Sequence, residues 1–197
     1  MQSKNQILAN AAVLTGLSIA LSFVILYEMP MGGSVTLACM LPIIFVSLRY
    51  GCAWGLGSGF IMAIFQVMQA VMHGNVFPYC ETLETVVLCV LLDYLLPFTL
   101  IGLAGVFRKK KGKIVKDIGA YLGILLVFVL RFLSHFVVGF VIWGQWAPEG
   151  MGKYLYSFLY NGSFLLPELV ITMLLAVILL RSPSVQRFFL EIKSEEE

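Results

Sequence analysis

The 197-residue chain is 60% hydrophobic and 12% charged, with a mean hydropathy of +0.94 and a formal net charge of +2. This composition excludes an ordinary soluble globular domain, and the length is that of one domain. Apolar runs of about 20 residues match the ~30 Å hydrocarbon core of a bilayer. The sequence therefore predicts an all-α integral membrane protein with one domain over residues 1–197.

Six apolar segments follow one another along the chain, and each is predicted to be a transmembrane helix. They cover residues 7–27, 35–48, 53–72, 85–107, 118–143 and 156–180. Pro42 lies inside the second segment, where it is expected to kink the helix or to free a backbone carbonyl. Breaker-rich stretches such as Glu28 to Ser34 (EMPMGGS) separate the segments as loops.

Six crossings place both termini on one side of the membrane, and the charges indicate which side. The termini and the loops after segments two and four carry Lys4, Arg49, Arg108, Lys109, Lys110, Lys111, Lys113, Lys116, Arg181, Arg187 and Lys193. The opposite loops carry one such residue, Lys153, beside several glutamates. By the positive-inside rule both termini are predicted to be cytoplasmic. We interpret the basic cluster as a topology signal, and no nucleic-acid partner is expected.

Segment one carries two rows of small residues. Ala12, Gly16 and Ala20 form one row, and Ser18 and Ser22 form the other. Small side chains at this spacing let two helices approach closely in lipid. The residues alone leave two interpretations open, namely packing within this chain and an interface with another protein.

Segment five contains polar groups deep in an apolar run. Arg131, His135, Gly139 and Trp143 recur every four residues and so share one face of a helix. Polar side chains at membrane depth usually face a bundle interior or a water-filled cavity. We therefore predict that this stripe forms one wall of a small-molecule pocket. Alternatively, Arg131 pairs with Asp93 as a structural ion pair, and Trp143 belongs to an interfacial aromatic belt.

Other polar residues belong to the same pocket in this interpretation. Asp93 and Tyr94 lie in segment four, and Tyr156 and Asn161 begin segment six. The chain has no GxSxG, HExxH or GxxxxGK[ST] motif, and its four cysteines lack zinc-site spacing. No enzymatic activity, metal or cofactor is expected. If the protein moves a solute, another protein must supply the energy.

Several motifs together carry a family resemblance. They are GGSV at 32–35, PIIFVSLRYG at 42–51, LLDYLLPFTLIGLAGVF at 91–107, RFLSHFVVGFVIWGQWAPEG at 131–150 and YSFLYNGSFLLP at 156–167. With this set, the chain resembles the thiamine-specific substrate-binding subunit (S component) of energy-coupling-factor transporters. The resemblance covers nearly the whole chain in the same six-segment order.

The resemblance implies a six-helix protein of the bacterial plasma membrane that captures thiamine from outside. It also implies partners: a transmembrane coupling subunit, contacted through the small residues of the first helix, and two ATP-binding subunits. Trp143 is then expected to stack on thiamine. The other positions carried over are His135, Gly139, Asp93, Tyr94, Tyr156 and Asn161, although some relatives carry Glu where this chain has Asp93.

Two other functions are compatible with the residues. One is a substrate-binding subunit for another vitamin or for a thiamine precursor. The other is a structural membrane protein, in which the polar residues only hold the helices together. The ligand that accompanies the purified protein distinguishes these functions.

Overall fold

The computed structural model describes residues 3–109 and 113–190, and its architecture is a bundle of helices with one small hairpin. The helices are α1 (Lys4–Ser22), α2 (Leu41–Tyr50), α3 (Cys52–His73), α4 (Leu83–Cys89), α5 (Leu96–Leu100), α6 (Ile118–Val141), α7 (Lys153–Arg181) and α8 (Pro183–Leu190). The hairpin strands are β1 (Ile25–Glu28) and β2 (Ser34–Thr36). Three of the basic residues used for the topology prediction, Lys110, Lys111 and Lys193, lie outside the described residues.

Within the described ranges, five helical stretches are long and apolar enough to cross a membrane. They are α1, α3, the stretch Leu83–Gly105, α6 and α7. Large apolar side chains on their outer faces are exposed, as Val13 and Ile178 illustrate, which is typical of surfaces that contact lipid. The second predicted segment differs, because α2 has only 10 residues. At ~1.5 Å per residue this helix is about half as long as the hydrocarbon core is thick.

The predicted ends of segments one and two are wrong, because an antiparallel hairpin occupies that part of the chain. Glu28 pairs with Ser34, and the turn between them has positive φ angles at Met31 (64°) and Gly32 (95°). Short apolar runs do not by themselves distinguish strand from helix. Pro42 lies in the first turn of α2, where its missing N–H costs little, so the predicted mid-helix kink is absent.

The fourth segment is helical throughout but departs from α-helical hydrogen bonding in two places. Between α4 and α5 lies a π-helical segment, Val90–Leu95, and a 3₁₀ segment, Ile101–Gly105, follows α5. Pro97 has no N–H to donate to the carbonyl of Asp93 four residues earlier, so α-helical bonding cannot continue through that point. The widened turn contains Asp93 and Tyr94, and π-helical turns of this kind are frequent at functional sites.

Side-chain contacts give the relative directions of the helices. The amide of Asn10 donates to the Tyr50 hydroxyl at 2.9 Å, and Ser18 donates to the carbonyl of Cys39, so α1 and α2 are antiparallel. At the same end of the bundle as Tyr50, the ring of Phe188 in α8 lies 6.3 Å from the Tyr50 ring. The first and last described helices therefore both contact Tyr50, at one end of the molecule.

The core is centred on α2. Ile43, Ile44 and Val46 have no exposed surface, and the surrounding cluster draws buried side chains from α3, α6 and α7. Because α2 is enclosed by other helices, it has little contact with the outside of the bundle. A separate cluster, which includes Cys89, Val138 and Trp143, lies near the opposite end. The candidate site lies between these two regions.

Candidate functional site

Two adjoining cavities lie beneath the hairpin. The first, here named the tryptophan cavity, has about 630 Å³ of empty space, part of which is open to solvent. It is lined by Met31, Gly32, Gly33, Ser34, Gln66, Val76, Asp93, Tyr94, Phe98, Arg131, His135, Trp143, Tyr156, Tyr160, Asn161 and Phe164. The lining brings together seven of the eight predicted binding residues, from the fourth, fifth and sixth predicted segments.

The second cavity, here named the glutamate cavity, has about 560 Å³ of empty space, part of which is open to solvent. It is lined by Ser22, Ile25, Glu28, Gly32, Ser34, Thr36, Cys39, Gln66, Gln69, Ala70, His73, Asn75, Val76, Tyr94, Phe98, Arg131 and Glu168. Arg131, Tyr94, Phe98 and Gln66 line both cavities, so the two spaces are neighbours. A ligand with two linked rings could therefore extend from one into the other.

Asp93 is the hydrogen-bonding centre of the tryptophan cavity. Its Oδ1 lies 2.8 Å from Nδ1 of His135, and its Oδ2 accepts a hydrogen bond of 2.9 Å from Nε1 of Trp143. The carboxylate thus holds both rings of the predicted stripe in place. Trp143 lies just beyond α6, which ends at Val141 instead of continuing to residue 143, and a 3₁₀ turn, Trp143–Trp146, aims the indole into the cavity.

Arg131 extends this network on the other side of His135. Its Nε donates to His135 Nε2 at 3.2 Å, so that nitrogen is an acceptor and Nδ1 carries the proton that faces Asp93. The guanidinium also lies 4.3 Å from the centre of the Phe98 ring and donates to the sulfur of Met40. Arg131 and Asp93 both belong to the described residues, and they form no direct ion pair within 4 Å. The ring of His135 links them instead.

Asn161 lines the tryptophan cavity, and its amide nitrogen fixes the side chain by donating hydrogen bonds to the backbone. Nδ2 donates to the carbonyls of His135 and Ser157 at 3.1 and 2.8 Å. The carbonyl oxygen Oδ1 accepts no hydrogen bond from the described residues, which leaves it available to a ligand. Gly139, the eighth predicted residue, does not line either cavity. It lies where α6 meets α7, and a Cβ there would overlap with Ser157 Oγ.

The hairpin turn covers the tryptophan cavity. The Tyr160 hydroxyl accepts from the N–H of Gly33 at 3.1 Å and donates to the carbonyl of Pro30. The hydroxyl of Tyr156 lies 3.8 Å from the sulfur of Met31. Three backbone and side-chain contacts to α7 therefore fix the turn over the opening between the helices.

The predicted set of binding residues left out several residues that line the cavities. Tyr160 lies four positions after Tyr156 and Glu168 seven after Asn161, so helical periodicity placed both on the face of α7 already identified. This signal was available in the sequence. The hairpin residues Met31 to Ser34 had no such signal, because their place over the cavity depends on contacts to a helix more than a hundred residues away.

The two rows of small residues in α1 occupy different environments. Ala12, Gly16 and Ala20 are exposed, and no atom lies within 4 Å of a Cβ built at Gly16. Ser18 and Ser22 are buried inside the chain, where Ser18 donates to Cys39 and Ser22 contacts Gln69 at 3.3 Å. The expectation of a partner-facing surface at these two serines does not hold, because they already bind groups of their own bundle.

The structure is a bundle of apolar helices around cavities lined by aromatic, amide and carboxylate groups. This arrangement is typical of multi-pass membrane proteins with an internal binding site for a small molecule. Comparison with known proteins gives the family. The family described as Thiamine transporter protein (Thia_YuaJ) matches residues 8–187, and the chain belongs to it. This confirms the family resemblance identified from the sequence, and it identifies a multi-pass protein of the bacterial plasma membrane.

Individual relatives agree with this assignment. The thiamine transporter ThiT of Bacillus subtilis (strain 168) is 30% identical over 182 residues, which cover 86% of this chain and 88% of the relative. ThiT of Lacticaseibacillus paracasei is 29% identical over 149 residues, covering 72% and 70%. The solved structure of ThiT from Listeria monocytogenes superposes with a TM-score of 0.71 at 23% identity, over 91% of this chain and 96% of that one. This structural likeness confirms the helical membrane fold.

Proposed function

We propose that the protein is the thiamine-binding subunit of an energy-coupling-factor transporter. It captures thiamine from outside the cell with high affinity, and a transmembrane coupling subunit with two ATP-binding subunits supplies the energy. Two observations support this proposal: the family and its curated relatives are named thiamine transporters, and the chain has no GxxxxGK[ST] loop of its own. The protein therefore acts as a binding subunit and not as an enzyme.

The proposal includes six crossings of a single domain, with both termini in the cytoplasm. Residues 34–50 form the second crossing, in which β2 and the following turn add length to the short α2. The meeting of α1, α2 and α8 at one end of the bundle supports an even number of crossings. Arg49 and Arg108 lie at that same end, over the rings of Phe188 and Phe189, which supports a cytoplasmic location under the positive-inside rule.

The hydrogen bonds of Asp93 to His135 and Trp143 are the main structural support for a thiamine site. Thiamine joins an aminopyrimidine to a permanently charged thiazolium ring. The indole of Trp143, fixed by Asp93 and only 8% exposed, offers a rigid face for stacking. An aromatic ring stacked on such a face contributes about 0.5–1.5 kcal/mol beyond the area that it buries. The free Oδ1 of Asn161 can accept from the pyrimidine amino group, and Tyr94, Tyr156, His135 and Arg131 complete the wall.

Titration of the detergent-purified protein with thiamine tests this function. We expect one thiamine per chain, bound without ATP or metal, and quenching of tryptophan fluorescence as the ligand stacks on Trp143. Isothermal titration calorimetry gives the stoichiometry independently. Absence of both heat and quenching at micromolar thiamine would refute the assignment, and a metal requirement would refute it equally. Another vitamin in the denatured supernatant would identify a substrate-binding subunit of different specificity, whereas no ligand at all would favour a structural protein.

A further inference from the structure

Glu168 is a buried carboxylate in the glutamate cavity whose charge the network around Trp143 does not use. Its side chain, on α7, is only 2% exposed. Its Oε2 accepts from the backbone N–H of Thr36 at 2.6 Å, and its Oε1 accepts from the Thr36 hydroxyl at 2.7 Å. The hydroxyl of Thr36 itself accepts from the N–H of Cys39 at 3.3 Å, so its hydrogen is free for Glu168.

These contacts fit an ionised carboxylate. Both oxygens of Glu168 act as acceptors, and neither needs a proton to satisfy Thr36. An ionised carboxylate can accept about four hydrogen bonds, so two of its positions are left. A negative charge in a buried cavity is costly unless an opposite charge lies nearby. A positive group is therefore expected close to Glu168.

The candidate within the protein is Arg131, the one buried cation among the described residues that line the two cavities. Its nitrogens contact His135 and Met40, and its face covers the ring of Phe98. No carboxylate oxygen in the described part of the chain lies within 4 Å of it. Arg131 and Glu168 thus share a cavity without forming a direct ion pair.

The buried charges around the two cavities do not sum to zero. Asp93 and Glu168 contribute two negative charges and Arg131 contributes one positive charge, while His135 is a neutral tautomer because Arg131 donates to its Nε2. Glu28 and His73 also line the glutamate cavity, and both of these side chains are exposed. The buried charges of the lining are therefore one positive charge short of neutrality, and a monovalent organic cation would supply that charge.

We propose that Glu168 is the counterion of the ligand's cationic ring and that it selects for that charge. This inference rests on the proposed function, in which the cation is the thiazolium of thiamine. With the pyrimidine beside Trp143 and Asn161, the second ring extends past Tyr94 and Phe98, which line both cavities, into the space that Glu168 faces. Asp93 then has a different task, because its two oxygens hold His135 and Trp143.

The test compares thiamine with 3-deazathiamine, a neutral isostere in which a thiophene replaces the thiazolium ring. In Glu168→Gln, which keeps the side-chain volume and an oxygen for Thr36, the Kd for thiamine should rise roughly 10- to 100-fold. The Kd for 3-deazathiamine should change less than about threefold, since no charge pair is lost. The matched control is Glu84→Gln, an exposed glutamate in the first turn of α4 that lines neither cavity, and it should leave both affinities unchanged.

Each result leads to a decision. Equal losses for the two ligands would mean that Glu168 only supports Thr36, and an unchanged thiamine affinity would mean that it has no part in binding; either overturns the inference. If Glu168→Gln does not fold, the wild-type protein still provides the test, because equal affinity for thiamine and 3-deazathiamine would overturn selection for charge. Failure of the wild-type protein to bind thiamine at all would instead refute the proposed function.

Discussion

Replacing Asp93 by asparagine is the sharpest probe of the site, because it removes one acceptor while keeping the shape. In the wild-type protein the two carboxylate oxygens accept from His135 at 2.8 Å and from Trp143 at 2.9 Å. An asparagine offers one oxygen, and its amide hydrogens would face the second donor. His135 cannot relieve the conflict by moving its proton to Nε2, because Arg131 donates to that atom.

The magnitude follows from the donor that is left without a partner. A buried donor without an acceptor costs about 1–3 kcal/mol. This cost falls on the conformation in which His135 and Trp143 are both positioned for the ligand, so the population of that conformation decreases. With about 1.4 kcal/mol per factor of ten, the apparent Kd for thiamine should rise roughly 5- to 150-fold.

A double-mutant cycle with Trp143→Phe separates the positioning role from a direct charge effect. Phenylalanine keeps an aromatic face but has no N–H. In the Asp93→Asn variant, His135 is then the one ring donor that the single side-chain oxygen has to accept from. We expect Asp93→Asn to cost at least about fivefold less in the Trp143→Phe background. Calorimetric Kd values for the four proteins give this coupling. The same loss in both backgrounds would refute positioning through Trp143, and no loss in the wild-type background would remove Asp93 from the site.

Three further sets of substitutions follow from the packing. Trp143→Ala removes the stacking face and should weaken thiamine binding at least about tenfold, as measured by calorimetry. Gly16→Trp should abolish uptake in proteoliposomes with the partner subunits but leave binding unchanged, since the position is open; normal uptake would exclude this surface as the docking site. Ser18→Trp should instead lower the melting temperature and binding together, because Ser18 is fully buried. Gly139→Ala should also lower both, because the new Cβ would overlap with Ser157 Oγ; an unchanged melting temperature would contradict that packing.

Much of the candidate site could be predicted because the polar residues stand out against apolar surroundings. Arg131 and His135 are conspicuous inside a membrane segment. Helical spacing places both on the face of the helix that leads towards Trp143. Seven of the eight predicted residues line the tryptophan cavity in the structure. The pairing of these residues could not be predicted, since an ion pair between Arg131 and Asp93 was as compatible with the sequence as the His135 link that the structure has.

The sequence by itself determined the membrane class and the long helices, because partition into lipid is a property that each contiguous segment carries alone. Tertiary structure decided where short apolar stretches become strand or helix, since Ile25–Glu28 forms a strand only by pairing with Ser34–Thr36. It also decided which side chains meet, as Thr36 and Glu168 do across 132 positions. Such contacts depend on how the helices pack. The spacing of residues along one helix does not indicate which other helices contact it.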